Sequence, residues 1–373
     1  MDLSLRTHVT VCCRHNADEV NLKHECLQKL LRVVDEPGFV FAEAAVPLYI
    51  DVVTHNILRA LPEPPATFQP DEDPANLDPL WEDHLTLVYD LLFHIIDAPI
   101  PPRVIKQYIT VAFCTRLIGT IQSQDPRERA SVATALHKIY AKFKSLRHHL
   151  RRDFTHVFMQ YIEYAPSGYP YGVSELLEVL SAIIKGFATP LLPEHIHLLT
   201  KTLLPLFKLS LMHYHQALLL CLTNFIEKDP TLAACMIDTL LKCWPKQSTA
   251  KQILFLNALE EILETTPVDS LPLETKTRVT TLLASCLESV HFQVAERTLF
   301  LWNSPQLINH SIFNPRHTRQ ILPILFPSLM VAFKQHWHIT VRMLAHSVLE
   351  MYTKHDNSTY QMCLSDYKKA HAA

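Results

Sequence analysis

The sequence predicts an all-α protein, a HEAT-repeat-like α-solenoid of about eight helical hairpins. Three observations carry that expectation. First, apolar residues recur three and four apart almost throughout the chain, as in Leu176, Leu177, Leu180, Ile183, Ile184 and Phe187, or Leu85, Val88, Leu91, Leu92 and Ile95; this is the spacing of one helix face. Alternation with a period of two never persists. Second, only five of the 373 residues are glycine, whereas 25 are proline. β-Rich folds need glycine at hairpin turns and bulges, and many prolines with few glycines suit helices joined by short, stiff connections. Third, the helical pattern repeats. Segments with a polar or Pro-containing start and a strong helical run begin near Glu43, Trp81, Pro126, Gly172, His213, Thr249, His291 and His338. Their spacing of roughly 36–47 residues is close to the HEAT and armadillo period.

Each repeat has local signals of its own. A second helical run follows each start, as in residues 194–209 and 318–334, so every unit reads as a hairpin. One hairpin cannot bury its apolar face alone, but stacked neighbours can. Asp125-Pro126 and Asp229-Pro230 place an N-cap residue before a proline in the first helical turn. Pro205, Pro323 and Pro327 lie inside runs, where the outer helix of such a unit kinks. Residues 61–79 form the one Pro/Asp-rich loop, an insertion between two units rather than a domain boundary. The whole of 1–373 is therefore read as a single solenoid.

Composition excludes several classes of function. The net charge of −3 and pI near 6.7 lack the basic excess of a general nucleic-acid binder. The longest apolar runs, such as residues 218–222, are far short of a membrane span. The N-terminus has no long apolar core, so no signal peptide is expected. Nine scattered cysteines without a C-x-x-C pair suggest a reduced protein of the cytoplasm and/or nucleus. No cofactor and no metal are expected. The glycines fit neither a dinucleotide fingerprint nor a Walker A loop. The pairs His195/His197, His213/His215 and His336/His338 would be separated by about 200° on a helix, and no H-E-x-x-H or G-x-S-x-G frame is present. An enzyme is not expected.

One stretch carries more specific chemistry. Residues 137–152 (HKIYAKFKSLRHHLRR) hold Lys138, Lys142, Lys144, Arg147, Arg151 and Arg152, with Tyr140 and Phe143 among them. Read as helix, they put Tyr140, Lys144 and Arg147 on adjacent turns of one face or its continuation. The stretch is either a solvated basic face with Phe143 in the core, or an aromatic floor with a basic rim that takes an acidic or phosphorylated peptide.

The segments DPRER (125–129), LHKIYAKF (136–143), ELLEVLSAIIKGFATPL (175–191), FIEKDPTL (225–232), WPK (244–246), HFQVAERTLFLWN (291–303), ILPILFPSL (321–329) and KQHW (334–337) follow one another in a familiar order. Over about residues 45–365 the chain resembles the B-prime regulatory subunits of protein phosphatase 2A, as a divergent member. Residues 1–42 match poorly, and the long basic C-terminal extension of many members is missing.

The resemblance implies a non-catalytic targeting subunit. It would bridge the phosphatase catalytic subunit and the scaffold subunit, and recruit substrates and adaptors through Leu-x-x-Ile-x-Glu motifs strengthened by acidic or phosphorylated neighbours. The family's peptide pocket falls on Thr134, His137, Lys138, Tyr140, Arg147 and Arg151, from one helix, with Val179, Ile183 and His195 from the next unit. Subunit contact is expected near His291, Gln293, Glu296 and Arg297; the alternative for these is local pairing of Glu296 with Arg297, with Val294 and Trp302 in the core. Two positions depart from the family pattern. Lys138 stands where an arginine is usual and loses the bidentate fork, and Leu192 stands where a lysine is usual. The alternative function is a HEAT-type scaffold or transport adaptor with no phosphatase role.

Overall fold

The computed structural model describes residues 3–13, 20–62, 78–164 and 170–370. Residues 63–77 of the predicted Pro/Asp-rich loop lie outside the described residues. Among those described there is no strand, and no helix is long and apolar enough to cross a membrane. The chain forms two compact units, Met1–Leu180 and Ser181–Ala373, at a division that no proline-rich or glycine-rich stretch marks in the sequence. In the first unit the helices are α1 (Leu3–Cys12), α2 (Val20–Val34), α3 (Val46–Ile57), α4 (Thr86–Asp97), α5 (Pro102–Ile105), α6 (Val111–Gly119), α7 (Pro126–Lys142), α8 (Arg147–Tyr164) and the greater part of α9 (Val173–Lys185). The second holds the end of α9, then α10 (Pro193–His197), α11 (His215–Lys228), α12 (Leu232–Lys242), α13 (Thr249–Thr265), α14 (Leu273–Leu287), α15 (Phe292–Phe300), α16 (Pro305–His310), α17 (Thr318–Gln335), α18 (Ile339–His355) and α19 (Asn357–Ala370).

Within each unit the helices stack as an α-solenoid requires, against chain neighbours and against the equivalent helix one hairpin on. In the first unit α1 packs on α2 and α3, α2 on α4, α4 on α7, and α6 on α7 and α8. In the second, α11 packs on α13, α13 on α15 and α15 on α18, while α12 packs on α14, α14 on α17 and α17 on α19. The seven later repeat starts expected from the sequence coincide, within a few residues, with a π-helical turn at Trp81–Leu85 and with the starts of α7, α9, α11, α13, α15 and α18. On α9 and α4 the apolar residues that the periodicity marks are buried: Leu176, Leu177, Leu180 and Ile184 on α9, and Val88, Leu91, Leu92 and Ile95 on α4.

Side-chain bonds between helices repeat the same interval. Arg278 reaches Asp238 (2.5 Å), Ser328 reaches Glu288 (2.7 Å) and Arg297 reaches Asn257 (2.6 Å), each 40 residues back. Asn224 Nδ2 donates to the Ser181 carbonyl 43 residues earlier. Helix ends are met the same way. Lys142 Nζ donates to the carbonyls of Ile96 and Ala98 at the end of α4, and Lys251 Nζ to those of Lys208 and Leu209 (2.9 Å each). Burial lowers the pKa of both lysines. Arg116 donates to the Leu58 carbonyl that follows α3 (2.8 Å).

Local signals act largely as expected. Asp125 caps α7, accepting the Arg127 amide at 2.8 Å, with Pro126 at the first position. Asp229 acts slightly earlier, accepting the amide and hydroxyl of Thr231 in the turn before α12. Pro323 and Pro327 lie inside α17. Pro205 falls where the chain passes from a π-helical stretch (Leu198–Leu203) into a 3-10 stretch (Leu204–Lys208), as expected where proline removes an amide donor. At Gly172, φ is +76°, and a Cβ would fall 2.4 Å from the Ile121 carbonyl oxygen.

The deepest charge in the first unit is Glu128, fully buried on α7. It accepts both terminal nitrogens of Arg59 at 2.6 and 2.9 Å and the Tyr89 hydroxyl at 3.1 Å; Arg59 also reaches Asp78. Removing one partner of a buried pair leaves an uncompensated charge. Glu128→Ala is therefore expected to lower unfolding stability by about 3 kcal/mol in urea titration; a change below about 1 kcal/mol would contradict this account of the network.

Asp356 gives a second test. Its carboxylate accepts the Thr359 hydroxyl and amide and the Ser358 hydroxyl at the start of α19, and these bonds lower its pKa from 3.8 to about 2. A depressed folded pKa contributes stability above the unfolded value that is lost as pH falls through the folded one. Amide exchange in the first turn of α19 should therefore lose protection between pH 3.8 and about 2, and Asp356→Asn should abolish that dependence.

Candidate functional site

The six pocket residues expected on one helix, Thr134 to Arg151, come from two. Helix α7 ends at Lys142; Phe143 leaves helical geometry at φ −107° and ψ 85°, and Lys144–Leu146 form a 3-10 turn before α8. Burial explains the break, because the chain turns to place both Phe143 and Leu146 in the core. Tyr140 therefore lies on α7, while Arg147 and Arg151 lie on α8. Lys144 is exposed in the turn and shares no helical face with Tyr140.

The turn nevertheless brings Tyr140 and the two arginines together. Arg147 folds back over the end of α7, its Nε donating to the Tyr140 carbonyl (2.9 Å) and a terminal nitrogen to that of Ala141 (3.1 Å). Its guanidinium carbon lies 5.1 Å from the centre of the Tyr140 ring, a cation–π arrangement. Arg151 donates to the Tyr140 hydroxyl at 3.2 Å. Two planar cations thus hold one half-buried phenol by its face and its tip. Such a surface offers an aromatic contact beside donors suited to carboxylate or phosphate.

The other expected residues are more committed. Lys138 pairs with Asp97 at 2.5 Å, and its amine lies 5.8 Å from the Phe93 ring centre. The Thr134 hydroxyl donates to the Ala130 carbonyl of its own helix. His137 is exposed. Val179, in the first unit, and Ile183, in the second, are one turn apart on α9, and both are buried. His195 is buried in the second unit, stacked on Phe187 with ring centres 3.7 Å apart. Its Nδ1 accepts the Leu192 amide at the start of α10 (3.3 Å). Leu192 itself is exposed.

The expected subunit-contact segment is also divided. His291 and Gln293 are exposed at the start of α15. Glu296 is half-buried. Arg297 pairs across to Glu260 and Asn257 on α13 rather than with Glu296. Val294 and Trp302 are in the core, and Trp302 Nε1 donates to the Tyr352 hydroxyl at 3.0 Å.

Beside His291 lies an apolar ridge that the sequence reading did not single out. Val290 is 79% exposed, Trp337 64%, Ile339 62% and Met343 64%. Trp337 Nε1 donates to the Val290 carbonyl (3.1 Å), and its ring meets Phe292 edge-on at 5.8 Å. His338 stacks on Phe292 at 4.3 Å. A signal was available: His291 and His338 are equivalent repeat starts, so Val290 and Trp337 are equivalent apolar residues in consecutive inter-repeat loops.

Among the described residues no group of three or more His, Cys, Asp or Glu side chains is arranged to hold a metal. The H-x-H pairs serve separate ends. His215 Nε2 donates to the Leu254 carbonyl (2.8 Å), and His336 Nδ1 accepts the His338 amide (3.0 Å).

Residues 10–373 match the sequence model of the B56 family of protein phosphatase 2A regulatory proteins, the regulatory B subunits. The chain is 37% identical over 365 residues to the B' theta isoform of the 57 kDa protein phosphatase 2A regulatory subunit from Arabidopsis thaliana, covering 95% of this chain and 72% of that protein. It is 37% identical over 352 residues to the human beta isoform of the 56 kDa regulatory subunit, covering 93% of this chain and 69% of that one. Identity to the rabbit (Oryctolagus cuniculus) delta isoform is 37% over 355 residues, covering 93% of this chain and 59% of that relative.

Proposed function

The chain belongs to the B56 family of protein phosphatase 2A regulatory B subunits, and on that premise we propose that it joins the phosphatase catalytic subunit and its scaffold and brings substrates to them. Recruitment works through short Leu-x-x-Ile-x-Glu motifs with acidic or phosphorylated flanks, held against Tyr140, Arg147 and Arg151. The observation that carries this reading is the clasp of Tyr140 between two guanidiniums. An apolar motif residue packs on the phenol, and its flanking anion meets cations already held in place, so little side-chain entropy is lost on binding. The pairing of Lys138 with Asp97 removes one cation from easy reach and makes the arginines the principal anion partners. For assembly, the exposed ridge of Val290, Trp337 and Ile339 beside His291 and Gln293 supplies an aromatic anchor of the kind that dominates protein interfaces.

Calorimetry with a phosphorylated Leu-x-x-Ile-x-Glu peptide tests recruitment. Tyr140→Ala should abolish the heat of binding. Arg151→Gln should weaken binding about tenfold, equivalent to loss of one charge-assisted bond of about 1.5 kcal/mol, and added salt should weaken the unaltered protein. Binding that survives Tyr140→Ala intact would rule the site out.

Capture with purified scaffold and catalytic subunits tests assembly. The unaltered chain and Tyr140→Ala should both be retained, and Trp337→Ala should be retained several-fold less. A chain that captures neither subunit would refute this assignment and leave the scaffold-or-adaptor reading.

A further inference from the structure

The turn that ends α7 carries an exposed hydroxyl beside the candidate site. The Leu146 amide donates to the Phe143 carbonyl at 3.0 Å and closes the 3-10 turn. Phe143 and Leu146 are buried, and Lys144 and Ser145 between them are exposed. The packing that breaks the helix therefore fixes Ser145 on the outside of the turn. Other hydroxyls are tied to the backbone: those of Thr134, Thr277 and Thr281 donate to carbonyls four residues back, and that of Ser248 caps α13. The Ser145 hydroxyl makes no hydrogen bond among the described residues, so nothing within them competes for it.

The charges around Ser145 along the chain are of one sign. Lys142 and Lys144 precede it, and Arg147, His148, His149, Arg151 and Arg152 follow. The first turn of α8 holds no acidic residue, although the positive end of a helix favours anions. Asp153, in the second turn, is the nearest carboxylate along the chain, and it already accepts the Arg152 side chain and the Thr115 hydroxyl. Lys142 is occupied with the carbonyls that end α4, which leaves Lys144 as the cation met directly before the serine. Arg147 commits Nε and one terminal nitrogen to the Tyr140 and Ala141 carbonyls. Its other terminal nitrogen makes no hydrogen bond among the described residues.

We propose that Ser145 is a phosphorylation site that switches off motif recruitment: a protein kinase selective for basic surroundings phosphorylates it, and the phosphate engages Arg147 from within the chain. In the transfer the Ser145 Oγ attacks the γ-phosphorus of ATP, the bond from that phosphorus to the bridging oxygen breaks, ADP leaves, and the hydroxyl proton passes to the base of the kinase. Kinases select substrates by complementary charge, and the surroundings of Ser145 suit one with an acidic cleft. Phosphoserine carries a charge of about −1.5 to −2, here two residues from Arg147. It pairs with that guanidinium through charge-assisted bonds and repels the acidic or phosphorylated flank of an incoming motif. The loss of recruitment rests on the reading of Tyr140, Arg147 and Arg151 as the motif site; the modification itself does not.

Incubation of the full, folded chain with ATP and a kinase selective for basic surroundings, followed by peptide mapping in the mass spectrometer, tests the modification. Ser145 should be phosphorylated, Ser145→Ala should remove the signal, and a kinase selective for acidic surroundings should leave Ser145 unmodified. The chain bearing phosphoserine at this position is then titrated by phosphorus NMR. Its second ionisation should fall below the usual value of about 6, and Arg147→Gln should return it there. In calorimetry with a phosphorylated Leu-x-x-Ile-x-Glu peptide, phosphoserine at this position should weaken binding about tenfold or more, while Ser145→Ala binds as the unaltered chain does. A Ser145 that stays unmodified in the folded chain, or a phosphoserine whose ionisation ignores Arg147→Gln, would overturn the proposal. Peptide binding by the unaltered chain that phosphorylation leaves unchanged would refute the switch alone. No binding by the unaltered chain would refute the recruitment reading, and the switch with it.

Discussion

The last carbonyls of an α-helix have no partner within the helix, and in a stack of helices many of them face protein instead of water. This chain meets that constraint with long cations from elsewhere in the stack. Lys142 closes the end of α4, Lys251 closes the 3-10 stretch before α11, and Arg116 closes α3. A lysine suits the task because its stem packs along the apolar surface while its three donors reach more than one carbonyl. The cost is visible in the lowered pKa of Lys142 and Lys251, which burial produces. The arrangement makes adjacent repeats depend on one another, since melting one hairpin strips the cap from its neighbour. The bonds at intervals near 40 residues on the helix faces act in the same direction, giving the nearest-neighbour coupling on which a solenoid's cooperativity rests.

The candidate site is built by the same rule. Arg147 closes the end of α7 through the carbonyls of Tyr140 and Ala141, and in doing so it lies on the Tyr140 ring. A cation recruited to cap a helix thereby becomes part of the candidate site, its position set by bonds within the protein. Lys138 shows the opposite balance. It faces Asp97 and the Phe93 ring, so its charge is largely answered within the protein.

Much of the fold was legible in the sequence because long amphipathic helices repeat their signals many times. The starts at Pro126 and Thr249 are those of α7 and α13, and Asp125 caps its helix as its position before a proline implies. The break at Phe143 was not legible. Every residue type from His137 to Arg152 is compatible with helix, and what ends α7 is the burial of Phe143 and Leu146 against residues distant in sequence. The commitments of Arg297 to Glu260 and of His195 to Phe187 were hidden for a related reason. A charged or aromatic side chain shows its type in the sequence, but its partner is set by how the helices stack. The division between Leu180 and Ser181 falls inside α9 and carries no local signal. Trp337 was missed because helical periodicity scores faces, and this residue lies in the loop before one.

The scarcity of glycine that first marks the chain as helical has a floor set by geometry. At residue 172 the backbone has positive φ, and the space where a side chain would begin is filled by the carbonyl and side chain of Ile121. Those atoms belong to the 3-10 turn after α6, so the hydrogen on the Gly172 Cα is in effect the contact surface between that turn and the entry to α9. Alanine there would have to move either the turn or the helix start that leads to Val179. Most surface positions of a solenoid can drift freely, each repeat absorbing its own changes; residue 172 cannot, and the freedom of its neighbours to vary depends on its staying as it is.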